Sequence, residues 1–151
     1  MKNNISIVSA RSKLLYIWMT GAGILFLVLM IQTLNGTFEK TTEEGMESFS
    51  QQVWGWFIPM IFPTITLMLG TLTLNFTKQE DARLKVNPRT FFICLGISVF
   101  YILLLLIHVL GWPAFRATDP LKVFNTANFY LAPIQSIVVL LIGIIFLKKG
   151  E

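Results

Sequence analysis

The chain has 151 residues, of which 54% are hydrophobic and only 13% charged, and a formal net charge of +4. A soluble domain carries about a quarter charged residues, so a water-soluble globule is excluded. The single cysteine, Cys94, rules out an intrachain disulfide and a Cys-x-x-Cys redox pair, and reads as a small packing residue.

Four runs without Asp, Glu, Lys or Arg hold the apolar excess: Leu14 to Leu34, Val53 to Leu74, Phe91 to Trp112 and Phe129 to Leu147. Each reaches the roughly 17–25 residues that a helix needs to cross about 30 Å of hydrocarbon. Backbone groups in lipid must be bonded internally, so such runs form helices or a closed barrel. Barrel strands are about 10 residues long with strict alternation, and these runs do not alternate.

The first helix is expected over about 12–34. Lys2, Arg11 and Lys13 precede or open it. It is longer than a secretory signal core of about 7–15 residues, and no small-x-small cleavage pattern follows. The loop Asn35 to Gln52 contains Thr41-x-x-Glu44, a capping-box pattern, with Met46 and Phe49 behind it. A short amphipathic helix on the membrane and a solvated acidic loop both fit it. The second helix is expected over about 52–76, followed by a mixed-charge loop. Asn87-Pro88 reads as an N-cap with proline at the first helical position, which starts a third helix over about 89–111. After turn signals at Trp112-Pro113 and Asp119-Pro120, Asn125 or Thr126 is expected to cap a fourth helix over about 127–148.

With the N-terminus inside, nine Lys and Arg fall on inner segments, while only Lys40, Arg116 and Lys122 fall on outer loops. That is the positive-inside bias. The reading is an all-α integral membrane protein: one domain over 1–151, four transmembrane helices in an antiparallel bundle, both termini cytoplasmic, multi-pass in the cell (inner or plasma) membrane. The positive charge is then a basic rim for anionic lipid head groups, met by Arg83, Lys85 and Arg89, and not a nucleic-acid signal.

The second run carries a pattern of its own. Gln52, Gly55, Pro59, Pro63, Thr66, Gly70 and Thr73 recur at spacings of three and four, so small, polar and proline residues share one helical face. Pro63 cannot bond the carbonyl of Pro59, and Pro59 cannot bond that of Gly55. Bare carbonyls in lipid cost several kcal/mol, so each needs a neighbouring donor, a water or a cation. The face is therefore expected to turn inward, away from lipid. Close helix packing and a water-accessible lining both fit.

The most polar groups at membrane depth are Tyr101, His108, Asn128 and Gln135. An interhelical bond from His108 to Gln135, Asn128 or Tyr130 competes with a proton-sensing or permeation role. One His and one Cys without a membrane carboxylate form neither a metal site nor a general base. No enzyme activity, cofactor or metal is expected. The leading expectation is a subunit that self-associates as a homo-oligomer, or joins other membrane subunits, through its small-residue faces. The alternative is a pore or membrane-permeabilising effector lined by the second helix.

Overall fold

A computed structural model describes residues 5–42, 45–75, 84–111 and 120–147. The element order is β1 (Ile5–Ser6), α1 (Ile7–Leu34), β2 (Glu39–Thr42), β3 (Gly45–Ser48), α2 (Ser50–Asn75), β4 (Lys85–Val86), α3 (Pro88–Gly111) and α4 (Pro120–Phe146). All four helices are long and apolar enough to cross a membrane.

Core positions follow the spacing of packed helices. On α1 the buried residues include Ile7, Arg11, Leu14, Trp18, Ala22, Leu25, Leu29 and Gln32. On α3 they are Phe91, Cys94, Ser98, Tyr101, Leu105 and Val109. Steps of three and four give one continuous seam per helix. Gly21 of α1 leaves room for Ile102 of α3: a Cβ there would stand 2.8 Å from Ile102 Cγ2.

Consecutive helices run antiparallel, but α1 packs more extensively against the parallel α3 than against α2, and α2 packs most against the parallel α4. α3 also lies along α4, while α2 and α3 stand diagonally across the bundle. A two-residue clip fixes the first pair: β1 pairs with β4 through Ile5↔Val86 and Ser6↔Lys85, and the Ile7 N–H continues it to the Leu84 carbonyl at 3.0 Å. The first turns of α1 and α3 are thereby held level at one end of the bundle, the termini end.

The opposite end is closed by a feature the sequence reading lacked. Thr41 of the Thr41-x-x-Glu44 pattern lies in an antiparallel hairpin of β2 and β3, opposite Met46, with Lys40 opposite Glu47; Glu44 lies outside the described residues. Ten residues are too few for a stable isolated helix. Phe38 and Phe49 flank the hairpin, are buried in the core, and are joined by a 2.9 Å bond from the Phe49 N–H to the Phe38 carbonyl.

α1 ends in a Schellman turn. The Thr37 N–H reaches the Gln32 carbonyl at 2.9 Å and the Gly36 N–H reaches Thr33 at 3.1 Å, with Gly36 at φ 65°. A side chain there is strained, so Gly36→Ala should lower stability by about 1 kcal/mol, readable as an earlier thermal transition in detergent.

Two helix starts differ from expectation. α1 begins at Ile7 rather than near 12, because the clip and buried Arg11 order its first turns. α4 begins at Pro120, with proline at the position that needs no N–H. Asn125 and Thr126 are thus inside the helix, and Thr126 Oγ1 donates back to the Lys122 carbonyl at 2.7 Å instead of capping. The Asn87 cap is present: its Oδ1 accepts the Arg89 N–H at 3.1 Å.

Candidate functional site

The face of α2 that turns into the bundle is the bulky one: Val53, Trp56, Phe57, Met60, Ile61, Thr64, Met68 and Thr71 are buried. Gln52, Gly55, Pro59, Pro63, Thr66 and Gly70 all face outward. This reverses the inward orientation expected from the sequence. A Cβ added to Gly55 or Gly70 would meet nothing within 4 Å. The side chain of Thr73 lies outside the described residues. Fully buried Trp18, Leu25, Met68, Tyr101 and Ile142 fill the bundle interior, so among the described residues the outward stripe lines no channel.

The proline-freed carbonyl nevertheless finds its donor. Gln135 of α4 points its Nε2 at the Pro59 oxygen, 2.8 Å away, and at the Met60 oxygen, 3.1 Å away. Tyr101 reaches across the bundle from α3 and donates its hydroxyl to the same Met60 carbonyl at 3.0 Å. Three helices therefore meet where Pro63 interrupts the hydrogen bonding of α2. Pro59 likewise withholds an N–H from the Gly55 carbonyl, and no side chain among the described residues donates to that oxygen.

The same economy appears at both ends of the bundle. Arg11 is 2% exposed. Its Nη2 donates to the Phe146 carbonyl at 2.9 Å and its Nε to Ile145 at 3.3 Å. These are among the terminal carbonyls of α4, which have no partner within their own helix. At the hairpin end Gln32 donates its Nε2 to the Val109 carbonyl, near the end of α3, at 2.8 Å. Sequence reading placed Arg11 in the basic rim and passed over Gln32. The steps Ile7, Arg11, Leu14, Trp18 and Leu25, Leu29, Gln32 were the available signal, because they put both polar residues on the core seam.

The remaining polar candidates pair near the hairpin end. His108 bonds Tyr130 through Nε2 and the Leu104 carbonyl through Nδ1 at 2.6 Å. Of the three partners expected for His108, Tyr130 is the one it meets. Asn128 Oδ1 accepts the Trp56 indole N–H at 2.7 Å. Trp54 donates to Thr33 Oγ1 at 3.1 Å. No group of three His, Cys, Asp or Glu could hold a metal among the described residues.

At the termini end, Lys85 lies in β4 and Arg89 in the first turn of α3, both exposed. Arg83 lies outside the described residues. No family model, no curated protein and no solved structure matches this chain.

Proposed function

We propose that this chain is a non-enzymatic subunit of the cell membrane, with cytoplasmic termini, that associates through the outward face of α2 with a second copy or another membrane subunit. The observation that carries this is the outward stripe of Gln52, Gly55, Pro59, Pro63, Thr66 and Gly70. Leu, Ile and Phe cover much of the remaining outer surface, including Leu103, Ile107, Phe129, Leu140 and Ile144. Acyl chains are as apolar as those side chains, so association in a bilayer comes from close backbone approach and interhelical bonds. Glycines open to the outside supply the first, and Thr66, Gln52 and the Gly55 carbonyl offer the second. Anionic head groups on the cytoplasmic side would meet Arg83, Lys85 and Arg89.

A pore built where several α2 faces meet is the second reading, favoured by the Gly55 carbonyl alone, since Gln135 occupies that of Pro59. Molar mass in detergent, beside ion flux in liposomes, separates the two. Gly70→Phe and Gly55→Phe should each weaken association about tenfold or more, a loss of about 1.4 kcal/mol. Leu140→Phe, outward on α4, should leave it unchanged. Unaltered mass for both glycine variants would defeat the association reading, and flux lost at unaltered mass would establish a lining.

A further inference from the structure

A groove of about 560 Å³ runs between α1 and α3 on the outside of the bundle near the termini end. Ile17, Phe92 and Leu95 give it apolar walls, and Ser12, Lys13 and Tyr16 are its polar groups. The clip between β1 and β4 holds the two helices level, so depth follows from the rise of about 1.5 Å per residue. Measured from the first helical turns, Phe92 lies at about 6 Å, Lys13 at about 9 Å and Tyr16 and Ile17 at about 13–15 Å. These are Cα depths; helix side chains lean toward the N-terminus, so the Lys13 ammonium and the Tyr16 hydroxyl lie nearer the head groups than their backbones do. The groove therefore leads from the head-group layer into hydrocarbon.

Among the described residues no carboxylate lines it and none pairs with Lys13. An ammonium and two hydroxyls stand at the mouth of an apolar channel, complementary to a phosphate that carries an acyl chain. Basic pockets between transmembrane helices hold anionic lipid head groups for this reason.

We propose that this groove binds one anionic phospholipid from the surrounding bilayer. Lys13, Ser12 and Tyr16 hold its phosphate, and one acyl chain lies along Ile17, Phe92 and Leu95. A zwitterionic lipid fits less well, because its own cation competes with Lys13. The site rests on the membrane reading of the chain and is independent of association through α2.

Native mass spectrometry tests it, on protein in micelles doped equally with phosphatidylglycerol and phosphatidylcholine of matched chains. The wild type should retain one phosphatidylglycerol with about tenfold preference. Equal retention of the two lipids by the wild type overturns the proposal without recourse to any variant. Lys13→Gln should abolish the preference, Lys13→Arg should keep it, and Lys122→Gln at the other end should leave it unchanged. Leu95→Trp, which fills the groove, should expel both lipids. A preference that survives Lys13→Gln, or is lost equally in Lys122→Gln, overturns the site. Displacement of the lipid by millimolar glycerol 3-phosphate would show a site for soluble phosphate and overturn it as a lipid site.

Discussion

Arg11→Met should lower the unfolding free energy in detergent by about 2–4 kcal/mol, the largest single effect expected in this chain. Methionine keeps most of the apolar stem and removes every donor. The Ile145 and Phe146 carbonyls, which Arg11 reaches at 3.3 and 2.9 Å, would then be stranded at a buried helix end. Each stranded acceptor costs about 1–3 kcal/mol, and the cation also opposes the negative end of the helix dipole. Arg11→Lys should recover about half of the loss, because one ammonium cannot present the planar fork that serves two carbonyls. Urea or thermal unfolding of the three proteins measures this directly. A methionine variant as stable as the wild type would mean that α4 ends without help from α1.

The second large effect is a coupling. Gln135→Leu should cost about 1–1.7 kcal/mol, the upper range for one side-chain bond in a membrane, because it bares the Pro59 oxygen. Pro63→Ala restores the N–H that an uninterrupted helix would direct to that same oxygen. In the Pro63→Ala background, Gln135→Leu should therefore cost less than about 0.5 kcal/mol, a coupling of about 1 kcal/mol between residues on different helices. Tyr101 keeps its own bond to Met60 throughout, so the cycle isolates the Pro59 carbonyl. Equal costs in both backgrounds would show that Gln135 acts by packing alone.

The number of helices was legible because an uncharged run of about 20 residues has only one stable form in hydrocarbon. The need for a donor near Pro63 was legible for a related reason: proline removes a bond that lipid cannot replace. Which face of α2 turns inward was not. In water, burial sorts bulky apolar residues from small polar ones, but lipid removes most of that driving force. Volume decides instead, and Trp56, Phe57, Met60 and Met68 fill an axis that Gly55 and Gly70 would leave open.

Arg11 was misread because its charge was counted for orientation, while its heptad position beside Ile7 and Leu14 was not. The hairpin was not legible, and a helix and a loop both fitted its sequence, because Thr41 and Glu44 satisfy a local helix-start rule, whereas the register Thr41↔Met46 and the burial of Phe38 and Phe49 depend on residues across the turn. The clip of Ile5–Ser6 on Lys85–Val86 joins segments 80 residues apart, and two-residue strands carry no periodicity to detect.

The clip and the parallel pairs have a consequence for synthesis. A ribosome that has delivered α1 and α2 into the bilayer has produced neither of the helices they pack against most. Until α3 arrives, Gln32 has no Val109 carbonyl to bond; until α4 follows, Arg11 has no helix end to clasp and the Pro59 oxygen has no Gln135. The newborn α1 and α2 are an open pair, and the bundle locks only when α4, threaded in beside α2, brings its final carbonyls back to Arg11.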